Sequence, residues 1–214
     1  MRRARIVGGQ ESEVNEYPWQ VALYNTPQLS YPACGGSLIS DLWILSAAHC
    51  IGDTVPGDWT ARLGEHDLST TEESDHVDAV IILIMQHPQY DPDYNGFLHT
   101  PNFDFALFKM GKAINFLAHP NIRPICLPNF DERSYENSVA TVTGWGATDY
   151  DDKEYPSSLM EVNVTVLSND ACKKVFGYSK DQISEQMLCA NVDGGGKDAC
   201  SGDSGNNTFI YFNL

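Results

Sequence analysis

Short β-forming segments separated by turn clusters run through most of this 214-residue chain, and no long stretch carries helical periodicity. Such a pattern confines the fold to an all-β architecture, a barrel or a sandwich. Trp19-Gln20-Val21-Ala22-Leu23-Tyr24 alternates in part, while Gly36-Ser37-Leu38-Ile39-Ser40 and Trp43-Ile44-Leu45 are short and rich in β-formers. The apolar run 79–85 suits a strand buried on both faces, and Phe105-Ala106-Leu107-Phe108 is a second run of that kind. Turn formers such as Gly52-Asp53-Thr54-Val55-Pro56-Gly57 separate the segments. Residues 115–135 hold three prolines and few strand signals, as a linker between two halves would. Strand signals resume at Val139-Ala140-Thr141-Val142-Thr143 and over 160–167, where Val162, Val164 and Val166 alternate with polar neighbours. Ser168-Asn169-Asp170-Ala171-Cys172 opens a short helical segment, with Ser168 or Asn169 as its cap.

A chain of this length makes one large domain or two small ones. Its formal charge of −16 argues against a nucleic-acid partner, which would call for a basic stripe. The run 79–85 is far too short to cross a bilayer, so no membrane span is expected. Met1-Arg2-Arg3-Ala4-Arg5 is basic but leads into no apolar segment, so the sequence shows no secretory leader. The six cysteines (34, 50, 126, 172, 189 and 200) include no Cys-x-x-Cys pair, which speaks against a zinc ribbon. An even cysteine count, with the glycosylation acceptor patterns Asn163-Val164-Thr165 and Asn206-Asn207-Thr208, points to disulfides and an oxidising compartment.

The chemistry centres on Asp198-Ala199-Cys200-Ser201-Gly202-Asp203-Ser204-Gly205. A serine hydroxyl is a poor nucleophile near neutral pH; it needs a base for its proton and donors for the oxyanion it creates. Glycines on either side let the backbone turn tightly and bring amide N–H groups beside a reacting carbonyl. The same residues would also serve as a simple turn. Two upstream stretches decide between these readings: Leu45-Ser46-Ala47-Ala48-His49-Cys50 and Asn102-Phe103-Asp104-Phe105-Ala106-Leu107. They supply a histidine and an aspartate in the chain order His49, Asp104, Ser204, one of the orders in which a nucleophile, its base and the base's orienting acid occur.

With these motifs the chain resembles the trypsin-like serine proteases of the chymotrypsin family. Arg5-Ile6-Val7-Gly8-Gly9, Cys34-Gly35-Gly36-Ser37-Leu38-Ile39 and Gly144-Trp145-Gly146 match in order, and the likeness runs from residue 5 to about residue 205. Arg62-Leu63-Gly64-Glu65-His66-Asp67 and Pro124-Ile125-Cys126-Leu127-Pro128 are most similar to the arthropod clip-domain group. The resemblance implies two six-stranded antiparallel β-barrels side by side, with the active site in the cleft between them. Residues 1–5 would be the remnant of an activation pro-segment, 6–117 the first barrel with His49 and Asp104, and 118–214 the second barrel with Ser204, incomplete at its C-terminal end.

In that family Ser204 would be the nucleophile, His49 the general base and acid, and Asp104 the residue that holds the imidazole tautomer. The amides of Gly202 and Ser204 would bind the oxyanion. Asp198 would form the floor of the specificity pocket and pair with the Arg or Lys that precedes the cut bond. Cleavage after Arg5 would free the Ile6 ammonium to pair with Asp203 and reorder the site, the activation step of a zymogen. Cys34 would bridge to Cys50 beneath the histidine, and Cys172 to Cys189. Cys126 would pair with a pro-region cysteine, and Cys200 with one downstream of the serine. Protein substrates, protein inhibitors and an extracellular location follow from the same likeness.

No cofactor is needed for this chemistry, but the acidic segment 65–75 overlies the family's calcium loop, with Glu65, Glu72 and Asp75 as candidate ligands of a structural Ca²⁺. Asp75 stands where a longer glutamate is usual. Asp149-Tyr150-Asp151-Asp152-Lys153-Glu154 reads as a solvated loop, and His66, His76, His87, His99 and His119 lack metal-ligand spacing. The family pattern stops at Gly205, where Gly-Pro-Leu is replaced by Asn206-Asn207-Thr208; set against the family, the expectation is a second barrel without its last strands. The primary expectation is a serine endopeptidase. The alternative is an impaired or truncated homologue that binds or regulates rather than cuts, with little peptidase activity of its own.

Overall fold

Apolar side chains spaced two apart give the first half of the chain one face to bury. In the computed structural model they close a barrel. The described residues are 9–25, 31–70, 75–92, 101–128, 135–146, 155–177, 182–191 and 208–209. β1 (Gln10–Glu11) leads into β2 (Gln20–Asn25), β3 (Cys34–Leu38), β4 (Trp43–Ser46), β5 (Trp59–Leu63), β6 (Val77–Gln86) and β7 (Ala106–Met110). The last six pair antiparallel in the closed order β2-β3-β4-β7-β6-β5. Trp59, Ala61 and Leu63 alternate inward along β5, as period-two patterning requires. They meet Val21, Leu23, Leu38, Ile44, Phe108 and Met110 in one core, with Trp59 edge-on to Phe108 at 5.7 Å. Gly36 lets β3 approach β4, since a Cβ there would lie 2.7 Å from Ile44 Cγ2.

The second half forms a separate sheet. β8 (Val139–Gly144) and β9 (Met160–Leu167) pair antiparallel, and α1 (Asn169–Phe176) follows. β10 (Cys189–Asn191) and β11 (Thr208–Phe209) then add to β9 and β8. β1 joins this sheet through Gln10 opposite Glu161 and Glu11 opposite Met160. Residues 10–11 therefore pair with the second sheet, although the sequence boundary placed them with the first barrel. Of the two expected caps for α1, Ser168 is the one used: its Oγ accepts from the Ala171 N–H at 3.2 Å. No helix among the described residues is long and apolar enough to cross a membrane.

The two halves meet along β2. Val21 and Leu23 face the barrel core, while Ala22 and Tyr24 pack on Trp145 and Leu159 of the second half. β2 is thus covered on both faces. Polar ties reinforce the seam: Thr143 Oγ1 donates to Gln20 Oε1 at 2.8 Å, and Trp145 Nε1 donates to the His66 carbonyl at 3.0 Å. The Leu159 N–H reaches that same carbonyl at 2.8 Å.

The structure corrects the reading of 79–85 as a strand buried on both faces. Within β6, Ile81 is buried, but Val80, Ile82, Leu83 and Met85 are 58%, 56%, 41% and 50% exposed. β6 forms an outer wall of the barrel, and a register shift between Ile81 and Leu83 turns two neighbouring side chains outward. Apolar, β-branched composition reported strand propensity there, not coverage. Phe105-Ala106-Leu107-Phe108 is likewise one-sided. Ala106 and Phe108 point inward, whereas Phe105 precedes β7 and is 43% exposed.

Replacing Gly36 by alanine is expected to force Ile44 off its rotamer or push β3 from β4, at a cost of about 1–3 kcal/mol. Thermal melting of Gly36→Ala against wild type measures it, and an unchanged midpoint would contradict the close β3–β4 approach.

Candidate active site

Strand register brings the histidine and the aspartate together. β4 pairs with β7 so that Ser46 lies opposite Ala106. His49 follows Ser46 by three residues and Asp104 precedes Ala106 by two, so both leave the same end of one antiparallel pair. His49 sits in a single 3₁₀ turn, Ala48–Cys50. The Cys34–Cys50 disulfide ties that turn to the start of β3, with Cα atoms 6.3 Å apart.

His49 Nδ1 donates to Asp104 Oδ2 at 2.6 Å, and the His49 backbone N–H donates to Asp104 Oδ1 at 2.8 Å. One residue therefore engages both carboxylate oxygens. The hydrogen bond to Asp104 raises the His49 pKa above its ordinary value, against the opposing effect of burial. Burial pulls the Asp104 pKa upward, but hydrogen bonds from the His49 ring and from the backbone of His49 and Ala48 outweigh it, and the carboxyl is held below the usual range. Asp104 is thus ionised and fixes the proton on Nδ1, which leaves Nε2 as the basic nitrogen. Cys50 Sγ lies 3.9 Å from Nε2.

The segment entering Asp104 is anchored in ways the sequence did not signal. Phe103 has a left-handed backbone, φ 51°, unusual for a residue with a Cβ. Its ring stacks on the His87 imidazole at 4.8 Å, with the planes 4° apart, and Phe105 meets the same imidazole at 4.5 Å. His87, which in the sequence stood out only as lacking metal-ligand spacing, is gripped by the two residues that flank the acid. Only the paired aromatics around Asp104 hinted at it.

Ser204, Gly202, Asp203, Asp198, Arg5 and Ile6 lie outside the described residues, as do Cys200 and the segment 149–154. The disulfides Cys34–Cys50 and Cys172–Cys189 form as the resemblance implied, and Cys126 is exposed and unbridged among the described residues.

Among the three candidate calcium ligands, Glu72 lies outside the described residues and Asp75 is exposed. Glu65 is 6% exposed and does not fit a metal ligand as placed. Its Oε2 lies 3.5 Å from Arg62 Nη1 and 3.3 Å from His76 Nδ1, and its Oε1 accepts from the His66 N–H at 3.0 Å. Arg62 in turn pairs with Asp78 through Nε and Nη2 at 2.8 and 2.9 Å. The Arg62 guanidinium already faces this buried carboxylate, with the His76 ring beside it.

A closed antiparallel barrel that presents a histidine hydrogen-bonded to an aspartate, followed by a second β-sheet half, is the architecture of a chymotrypsin-like serine protease. Comparison with known proteins agrees. The family model described as Trypsin matches residues 6–209. The chain is 37% identical over 207 residues to serine proteinase stubble of Drosophila melanogaster, an alignment covering 94% of this chain and 25% of that protein. It is 34% identical to coagulation factor XI of Bos taurus, over 95% of this chain and 31% of that protein. It thus spans a quarter to a third of the curated relatives it matches. Among solved structures it is similar to neuropsin, a serine protease of mouse brain, with TM-score 0.76 and 27% identity over 94% of this chain and 81% of that one. The chain belongs to the trypsin family of serine proteases.

Two outcomes follow. Asp104→Asn removes the anion that favours the imidazolium, so the His49 titration midpoint, followed by NMR of its ring protons, moves to lower pH. In the wild type the stability that His49 gains from this pair is fully present below its ordinary pKa of about 6.5 and fades as pH rises through the raised folded value; the variant loses that pH dependence. For the acidic segment, the melting temperature is expected to be the same in calcium and in a chelator. A calcium-dependent rise would show that Arg62 gives up Glu65.

Proposed function

We propose that this chain is the catalytic unit of a secreted serine endopeptidase that cuts after arginine or lysine and is made as a precursor opened after Arg5. The observation that carries the reading is the His49–Asp104 pair, in a chain that also holds Gly202-Asp203-Ser204-Gly205.

Ser204 Oγ attacks the carbonyl carbon of the bond to be cut, while His49 Nε2 takes the hydroxyl proton. The amides of Gly202 and Ser204 donate to the oxyanion, each contributing about 3–4 kcal/mol to the transition state. Asp104 remains ionised and stabilises the imidazolium. The intermediate collapses to an acyl-serine, and His49 returns the proton to the departing amine. Water, deprotonated by His49, then releases the acid and regenerates Ser204. Asp198 pairs with the guanidinium or ammonium of the residue before the cut bond. The Ile6 ammonium, freed after Arg5, pairs with Asp203 to order the loop. Partners are proteins that present a basic residue, including inhibitors that mimic one. Two disulfides support an oxidising, extracellular setting.

A second reading, a homologue that binds without cutting, is favoured by the departure from the family pattern at Asn206-Asn207-Thr208. A fluorophosphonate, which reacts only with an activated serine, separates the two. The Arg5-cleaved chain is expected to be labelled and to hydrolyse an arginyl amide. Ser204→Ala abolishes labelling, and Asp198→Ser lowers kcat/KM for arginyl substrates on the order of 100-fold. Absence of labelling in a folded, cleaved chain would favour the binding reading.

A further inference from the structure

Asn102 and Ser184 stand 82 positions apart, in different halves of the chain, and both are buried, at 6% and 8% exposure. Ser184 Oγ donates to Asn102 Oδ1 at 2.7 Å. A polar pair in that environment requires its partner, since either group left alone would carry a desolvation cost without compensation.

Each end of this bond is independently fixed. On the far side, Asn169 Nδ2, at the start of α1, donates to the carbonyls of Ser184 and Met187 at 2.8 and 3.1 Å. Ser184 Oγ also accepts from the Gln186 N–H at 3.2 Å, and the Cys172–Cys189 disulfide ties α1 to β10 just beyond. On the near side, the Asn102 backbone exchanges two hydrogen bonds with Asp91, at 3.0 and 2.8 Å. Phe103 alone separates Asn102 from Asp104, and it holds the left-handed backbone described above. A non-glycine residue keeps such a conformation only where its surroundings over-determine it. The surroundings here are the Asn102 side chain bonded across the seam and the Phe103 ring stacked on His87.

We propose that Asn102 and Ser184 form a strut that reaches from the second half of the molecule and fixes the carboxylate of Asp104 against His49, making both of them positioning residues for the catalytic pair. This rests on the catalytic reading of His49 and Asp104 given above. Its distinctive content is that the orientation of an acid in the first barrel depends on a hydroxyl in the second half. A carboxylate displaced by a fraction of an ångström still folds with its barrel but no longer holds the imidazole in one orientation.

The test uses the whole chain and reads His49 directly by proton NMR, through the low-field Nδ1–H resonance and the ring titration. Wild type is expected to show a sharp low-field proton. In Ser184→Ala that proton broadens and the His49 midpoint moves toward its ordinary value, whereas Ser184→Thr, which keeps the hydroxyl, retains the wild-type spectrum. Where turnover is measured, Ser184→Ala lowers kcat about tenfold with KM within about twofold. If the alanine variant does not fold, Ser184→Cys carries the same test, because a thiol keeps the volume but donates weakly. A folded Ser184→Ala with the wild-type His49 spectrum and only a lower melting temperature would overturn the strut and leave a packing role. Absence of the low-field proton in the wild type would instead overturn the catalytic reading beneath it.

Discussion

The hydrogen-bonded register between β4 and β7 decides where chemistry is available in this protein. Pairing Ser46 with Ala106 fixes how far each chain runs past the last shared rung. A shift of one residue would reverse the faces of a whole strand and carry its apolar side chains out of the core. The barrel interior enforces the register, because Ile44 and Phe108 are both fully buried and lie opposite each other. The geometry of two polar residues at the rim is therefore set by the packing of apolar residues beneath them. The disulfide at Cys50 and the contacts of Phe103 adjust what the register has already determined.

The second organising constraint is the seam along β2. A strand covered on both faces cannot be solvated on either, so the second half has to dock for Ala22 and Tyr24 to be buried. Two buried polar contacts cross this seam, from Thr143 Oγ1 to Gln20 Oε1 and from Trp145 Nε1 to the His66 carbonyl. Directional bonds of this kind fix the orientation of the two halves more sharply than apolar contact would. The proposed catalytic reading, which takes His49 and Asp104 from the first half, calls for such a fixed orientation.

Charge is handled locally. The chain carries a formal charge of −16, yet Glu65 is buried because Arg62 and His76 lie against it, and Arg62 is itself held by Asp78. The bond from Arg62 keeps the Asp78 carboxyl below the usual range. Glu65, at the start of the acidic stretch, thus faces Arg62 and the His76 ring in the interior.

The all-β class, the family and the two residues His49 and Asp104 that the fold joins were legible in the sequence. Strand and turn propensities are local, and catalytic motifs need particular residue types in contiguous stretches, so both survive in a linear reading. Ser168 as the helix cap was legible for the same reason, although Asn169 was an equal contender until the Ala171 N–H was placed. Tertiary structure alone decided which apolar residues are covered. Val80, Ile82 and Met85 look like core residues in sequence and face outward, because coverage depends on what packs against a strand. It alone assigned β1 to the second sheet, placed Arg62 against Glu65, and joined Asn102 to Ser184. Those contacts link residues far apart in the chain, and their energies depend on distance and burial, which a list of residue types does not contain.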